Sequence, residues 1–539
     1  MKKIITTDDV LALSKEGKTE LVMNPGDRLT DLAREMVNRR NIRLVEASAI
    51  PAPATQAPAP IPTPIPAPAP VTAPLPWRPA SPAAGADYDL VITGGTCVIP
   101  EMGCAELNVC VSGGKVVALT TEAVRGRQQI DARGLYVLPG IIDPHTHIGL
   151  MVPFEQELET ESRSAILGGL TTIGTYFNRT GSYLPYIEHL SQVIPQVSRV
   201  DVIPHFSLRE QQQIDELPLY SQGGMNSYKV YMCGVPGLYP HQEDGFILRV
   251  MEKMKQLPPT VNPILSIHCE NTSVCDYAAE DMKDLRLCET EDLRLETLDD
   301  WNRTHPNIAE GEAVIRAAYF SQKLRARTYV VHSSTKEAME ALRRLKHPSL
   351  YVETTSPYLC LDTKSDIGPY GKMLPPIREP ESRKALWDGI RSGIIDTIGT
   401  DNTVMTAEEK KVAEGMRGAG PGYPTLGTHL PSVLNEGIFR QELPIEKLVP
   451  LMTMNPAKIF GVYPRKGTIM PGSDADIVLV DLREEQVVQP DALLSRSDFS
   501  IFQGKRLRGW PVATIKDGRI AAWEGKLTGD SQRGRILKH

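Results

Sequence analysis

Short apolar runs alternate with amphipathic stretches along most of this chain, and the two patterns have different periods. Runs at 139–147, 171–176, 199–205, 227–232, 263–268, 327–332, 349–355 and 394–401 are rich in β-branched and aromatic residues and read as strands. Between them, 245–257, 310–324, 336–346 and 382–392 carry apolar residues at helical spacing and read as helices with one face on a sheet. Strand followed by helix, repeated along one segment, predicts an α/β fold: a (β/α)8 TIM barrel over 139–463.

The ends follow another pattern. Residues 87–138 alternate short apolar runs with Gly-Gly turns at Gly94-Gly95 and Gly113-Gly114, and 464–539 do likewise. Neither flank is long enough for its own β-domain, so the two predict one composite β-sandwich. Residues 51–82 are mostly proline and alanine with no charge before Arg78, a composition that builds no core and favours extended chain. They predict a linker over 48–86. Ahead of it, 1–47 predict a small α+β module: a strand at 20–23, a helix carrying Leu29, Leu32 and Met36 on one face, and a strand at 42–45.

Composition narrows the partners. The 539 residues are 41% hydrophobic with a net charge of −7, and the pI is near 6.0. Nucleic acid or an anionic membrane would want a basic face, so neither is expected as a partner. No segment approaches the ~20 apolar residues of a membrane span, and the protein is expected to be cytoplasmic. The eight cysteines form no Cys-x-x-Cys pair and are expected as reduced thiols, Cys233 and Cys269 serving as packing.

The candidate chemistry sits where apolar runs end. Pro139-Gly-Ile-Ile-Asp-Pro-His-Thr-His147 places His145 and His147 at alternate positions, hence on one side of a strand, where both can reach one metal ion. Lys229 lies within its apolar run, while His268, His332 and Asp401 each close one. In a parallel barrel the carboxyl ends of the strands build the active site, and all of these candidates fall on or near that rim. His205, ending another run, reads as a core or supporting residue, and Glu270 and Asn271 as groups that orient the site or cap a loop.

From residue 88 onward the chain resembles the cyclic amidohydrolase branch of the amidohydrolase superfamily, which contains hydantoinases, dihydropyrimidinases, allantoinases and dihydroorotases. The likeness is carried by Gly134-Leu-Tyr-Val-Leu-Pro-Gly-Ile-Ile-Asp-Pro-His-Thr-His147, Gly168-Gly-Leu-Thr-Thr172, the Lys229 strand, His268-Cys-Glu-Asn271 and Val331-His332-Ser-Ser. It continues through Glu353-Thr-Thr-Ser-Pro-Tyr-Leu-Cys-Leu-Asp362, Leu374-Pro-Pro-Ile-Arg378, Ile398-Gly-Thr-Asp401, Asn455-Pro-Ala-Lys-Ile-Phe-Gly461 and Lys466-Gly-Thr-Ile-Met-Pro-Gly-Ser-Asp-Ala-Asp476.

The resemblance implies two divalent metal ions, zinc by the donor set. His145, His147 and Asp401 would hold one and His268 and His332 the other, with Lys229 bridging both. A lysine can do so only as N6-carboxylysine, formed with carbon dioxide, because an ammonium has no lone pair. Asp401 would also act as catalytic proton carrier, and Thr355, Ser356 and Thr428 would contact the substrate. The implied reaction is hydrolytic opening of a small cyclic amide or imide, hydantoinase- or dihydropyrimidinase-like, by a homodimer or homotetramer. Allantoinase- or dihydroorotase-type activity and a catalytically inactive dihydropyrimidinase-related scaffold are the alternatives.

This sequence departs from the pattern in places. Gly234 stands where hydantoinases and dihydropyrimidinases usually carry a tyrosine five residues after the bridging lysine, with Tyr231, Tyr239 and His241 as possible replacements. Asn402 follows the catalytic aspartate where most relatives have histidine, and no arginine follows His147, as dihydroorotases and allantoinases typically have. At the amino terminus, Ile5-Thr-Thr-Asp-Asp-Val-Leu-Ala-Leu13, Leu29-Thr-Asp-Leu-Ala-Arg-Glu-Met36 and Asn41-Ile-Arg-Leu-Val45 loosely resemble segments that lead some ethanolamine-utilisation proteins of bacterial microcompartments. That implies recruitment to an assembly through residues 1–47.

Overall fold

Eight parallel strands close into a barrel in the computed structural model. It describes residues 88–235, 239–284, 295–529 and 533–538, with 4–5, 19–23, 28–29, 33, 36–37 and 42–46 of the amino-terminal segment. The barrel strands are β1 (Ile141–His147), β2 (Leu170–Asn178), β3 (Asp201–Ser207), β4 (Ser227–Tyr231), β5 (Ile264–His268), β6 (Thr328–Val330), β7 (Leu350–Thr355) and β8 (Thr397–Gly399). Each pairs in parallel with the next. After β8 the chain passes Thr400 and Asp401, and Asn402–Thr403 pair with β1, which closes the ring. Helices return the chain between strands, among them Phe154–Leu167, Leu184–Val197, Asp244–Lys255, Asn307–Leu324, Lys336–Leu345 and Pro380–Arg391.

Strand alternation sorts side chains into two cores. On β5, Leu265 and Ile267 pack outward into the layer shared with the helices. Ile264 points inward, joining Ile142, Tyr176, Ile203, Tyr329 and Phe460 in an apolar plug. His268, two steps beyond Ser266, is thereby carried to the carboxyl rim on the same inner face. The plug fills one end of the barrel and leaves the polar residues at the other.

The 199–205 run forms a strand displaced by two residues, Asp201–Ser207. Phe206 and Ser207 pair with Tyr228 and Lys229 of β4, which extends the strand at its end, and Asp201 is anchored by ion pairs at its start. His205 is therefore interior to β3, buried, with its Nδ1 2.7 Å from Ser227 Oγ.

Both flanks join one mixed sheet. Tyr88–Ile99 lies between Gly103–Ser112 on one side and Gly126–Asp131 and Tyr136–Pro139 on the other, and Ile477–Val480 pairs antiparallel with Tyr136–Pro139. Lys115–Thr120, paired with Gly103–Ser112, and Pro511–Lys516, Arg519–Trp523 and Lys526–Leu527 complete it. Strands of both flanks share a core through Ile92, Val109, Leu119, Ile477, Leu479 and Ile515. The Asp517-Gly518 turn of the late hairpin has positive φ at both residues, the conformation that matches strand twist.

Residues 1–76 form a separate unit. Within it Glu20–Met23 pairs in parallel with Arg43–Glu46, and Ile4–Ile5 with Arg28–Leu29; Leu21, Ala33, Val37 and Ile42 are its buried contacts. Leu29 is thus a strand residue, held in register by Ile5, and not the first contact of a helix; Met36 is helical, and Leu32 lies outside the described residues, as does the linker segment 48–86. Among the described residues, no helix is long and apolar enough to cross a membrane.

Candidate active site

His145 and His147 leave β1 on its inner face, and Asp401 meets them from the end of β8. The Asp401 N–H donates to the His145 carbonyl at 2.9 Å. Its backbone has φ +56°, a left-handed conformation that aspartate tolerates better than most side chains. This turn places Asp401 Oδ1 3.3 Å from Nε2 of both His145 and His147. Burial acts to raise the Asp401 carboxyl, but His145, His147 and Lys229 outweigh it and hold the group below the usual aspartate range.

Two buried acids hold this corner. Asp143, which precedes a break in the β1–β2 register, accepts from the His145 and Thr400 N–H groups, each at 3.0 Å, and from the Thr400 hydroxyl, tying β1 to β8. Glu353 of β7 accepts from the His332 N–H and from His145 Nδ1, at 2.9 and 2.8 Å. With its Nδ1 proton so used, His145 turns an Nε2 lone pair inward, and that buried nitrogen has no hydrogen-bond partner. Burial pushes both Asp143 and Glu353 up to about 8. Acids poised at ionisation around lone-pair nitrogens are the surroundings that a divalent cation would stabilise.

Across the barrel, His268 closes β5 and His332 follows β6 with φ +38°. His268 Nδ1 lies 2.9 Å from His332 Nε2, and its Nε2 lies 2.9 Å from Glu270. Lys229 projects from β4 between the two histidine groups, fully buried, with no hydrogen-bond partner at Nζ. The rings of Tyr176 and Tyr231 lie 4.6 and 5.0 Å from that nitrogen. Burial pulls the Lys229 pKa down to about 8, against the opposing charges of Asp401 and Glu353.

These groups share one cavity of about 60 Å³, lined by His147, Lys229, His268, His332 and Asp401 together with Tyr231, Tyr239 and Tyr423. His145 lies buried behind them. The loop after β4 turns back on itself through paired hydrogen bonds between Val235 and Tyr239, and brings the Tyr239 hydroxyl 3.2 Å from His147 Nδ1. Tyr239 stacks on Tyr231, ring centres 4.5 Å apart.

Thr355, Ser356 and Thr428 are buried outside this cavity. The Thr428 hydroxyl donates to the Thr425 carbonyl at 3.2 Å, and Ser356 Oγ lies 3.1 Å from His429 Nδ1. Asn402 is a scaffold residue here: its side-chain oxygen accepts from the Thr425 N–H. Sequence reasoning assigned no role to Asp143 or Glu353, although a signal existed for each. Asp143 continues the period of two set by the histidines, and Glu353 is a lone acid inside an apolar strand.

This constellation at the carboxyl rim of a parallel barrel defines a hydrolase scaffold built to hold divalent metal. The amidohydrolase family model matches residues 259–521. The L-hydantoinase of Paenarthrobacter aurescens is 28% identical over 466 residues, 84% of this chain and 98% of the relative, and the D-hydantoinase of Ralstonia pickettii is 27% identical over 469 residues with the same coverage. The solved L-hydantoinase (dihydropyrimidinase) from Arthrobacter aurescens superposes with a TM-score of 0.76 at 27% identity, covering 84% of this chain and all of that structure. Over 84% of its length the chain is thus similar to cyclic amidohydrolases of the hydantoinase type. Amidohydrolases use divalent metal, and His145, His147 and Asp401 offer ligand atoms within 4.8 Å of one another.

Proposed function

We propose that this protein hydrolyses a cyclic amide or imide ring, in the manner of a hydantoinase or dihydropyrimidinase. One observation carries the reading. Five groups able to ligate metal converge on a single cavity while Lys229 Nζ and His145 Nε2, both buried, have no hydrogen-bond partner. Leaving such atoms buried and unpaired is costly, and a non-catalytic scaffold has no use for the cost.

In this reading His145, His147 and Asp401 would hold one divalent ion, such as zinc, and His268 and His332 another, with Lys229, once carboxylated by carbon dioxide, as a further ligand. When bound, a pair of such ions supplies hydroxide near neutral pH and polarises the scissile carbonyl. The chain's own residues do the rest. Glu353 fixes the His145 tautomer, and Glu270 orients His268. Asp401 carries a proton from the attacking oxygen to the departing ring nitrogen. The Tyr239 hydroxyl, delivered by the folded-back loop, takes the oxyanion-facing place that Gly234 leaves without a side chain. Thr355 and Ser356 would cradle the ring through their backbone, and Thr428 would stand close to it, once the cavity opens to admit substrate. We further propose a cytoplasmic homodimer or homotetramer, recruited to a microcompartment or another assembly through residues 1–47.

The test is to load full-length protein with zinc and bicarbonate and follow ultraviolet loss on hydantoin, dihydrouracil, dihydroorotate, allantoin and related imides. Opening of hydantoin or dihydrouracil is expected. Metal-loaded, carboxylated protein that opens none of them would overturn the reading.

A further inference from the structure

A second group of ligand-type side chains lies behind the barrel centre. Glu270, Cys275 and His305 bring ligand atoms within 4.8 Å of one another, and Cys275 packs in one small cluster with Cys233. Cys233, Cys275 and His305 line a cavity of about 650 Å³.

Two of the three donors, His305 and Glu270, are prepared for a cation. The Thr304 hydroxyl donates to the Trp301 carbonyl at 2.8 Å, so it must accept from His305 Nδ1, also at 2.8 Å. That leaves His305 Nε2 with a lone pair, and burial pulls the imidazole pKa down to about 4, so the ring is neutral. Glu270 is fully buried and uses Oε2 on His268, while Oε1 has no hydrogen-bond partner. The nearest cation, Arg378 Nη2, is 3.6 Å from that oxygen but 3.3 Å from Glu310 Oε2. Two carboxylates facing one guanidinium leave one negative charge unanswered.

We propose that Cys275, Glu270 and His305, with Cys233 beside them, form a separate site for a thiophilic divalent cation such as zinc or cadmium. Mixed sulfur, nitrogen and oxygen donors suit such ions. On binding, the Cys275 thiol proton leaves to solvent as the sulfur–metal bond forms, so affinity rises with pH. Because Glu270 also hydrogen-bonds His268, occupancy of the new site bears on a residue of the barrel centre. The proposal stands independently of the hydrolase reading.

Cobalt(II) titrated into metal-free full-length protein tests it, because the barrel centre has no thiolate. A near-ultraviolet sulfur-to-cobalt charge-transfer band is expected, lost in Cys275→Ala and retained in Asp401→Asn. Cobalt is also expected to protect Cys233 and Cys275 of the parent protein from alkylation, read by peptide mass, which decides the matter even if Cys275→Ala does not fold. Absence of the band at saturating cobalt, its survival in folded Cys275→Ala, alkylation unaffected by cobalt, or a Cys233–Cys275 disulfide under reducing conditions would each overturn the proposal.

Discussion

Lys229 is the residue whose chemistry depends most on its surroundings. Its amine is buried without a hydrogen-bond partner, and burial brings its pKa down to about 8. Only the neutral amine attacks carbon dioxide, forming the nitrogen–carbon bond and releasing a proton. At a fixed concentration of dissolved carbon dioxide, the rate at which zinc activates metal-free protein is therefore expected to rise with pH through about 8 and level off above it; a profile flat across that range would remove the lysine from the reaction. Asp401 makes a different prediction, since it both faces the metal position and carries the proton. Asp401→Asn keeps an oxygen toward His145 and His147 but loses the base, so turnover is expected to fall about 10²–10⁴-fold while most of the metal stays bound. Metal analysis beside kcat separates the two roles, and activity within about tenfold of the parent rejects the proton-carrier role. The six proposed ligands were legible because each lies in or closes an apolar run. Asp143 and Glu353 were less so, because their work is to hold neighbours' backbone and ring nitrogens, a geometry that exists only once β1, β7 and β8 are side by side.

At the scale of elements, the loop after β4 shows what an isolated sequence hides. Gly234 looked like the loss of a hydrogen-bond donor. In the fold, a Cβ at this position would lie 2.6 Å from the Tyr239 carbonyl oxygen and 2.7 Å from the His241 nitrogen, closer than real contacts allow. The glycine is what lets the loop fold back and present Tyr239. Gly234→Ala is expected to displace that loop and lower kcat about as much as Tyr239→Phe does, roughly 10²-fold if the hydroxyl faces the developing oxyanion, with melting temperature and metal content close to the parent's. Equal kcat in parent and both variants would show that Tyr239 does not act on the substrate. The periodic runs gave strand positions well, but strand limits depended on partners: β3 starts where Asp201 finds its cations and ends where β4 stops pairing. Leu29 was placed on a helix for the same reason, since its parallel partner Ile5 is 24 residues upstream and invisible to local pattern.

On the scale of the whole catalytic unit, a buried ionic cluster joins β3 of the barrel, the late strands of the β-sheet and the carboxyl-terminal segment. Lys466 Nζ lies 2.5 Å from Asp201, 2.9 Å from Asp474 and 2.6 Å from Asp476. Lys516 reaches Asp201 at 3.1 Å and Asp517 at 2.6 Å; Arg535 reaches Asp201, Asp474 and Asp517; and Lys115 reaches Asp474. With Arg465 3.8 Å from Asp474, four acids face five cations, so every carboxylate is paired, which makes burial tolerable. Burial alone would raise the Asp201 and Asp474 carboxyls, but the neighbouring cations hold Asp201 far below the aspartate range and Asp474 at about 2. Groups lowered in the folded state stabilise it above their unfolded pKa, near ~3.9, and lose that contribution as pH falls toward the folded value. Lys466→Met removes a cation from the middle of the cluster and leaves three carboxylates facing its place, which is expected to cost about 3–5 kcal/mol at neutral pH. The same change should cost progressively less below pH ~4, where the acids protonate in the unfolded chain and, without Lys466, more readily in the folded one. Urea unfolding of parent and variant at neutral and acid pH reads the difference; a gap that stays constant with pH would mean that Lys466 contributes through packing, not through its charge.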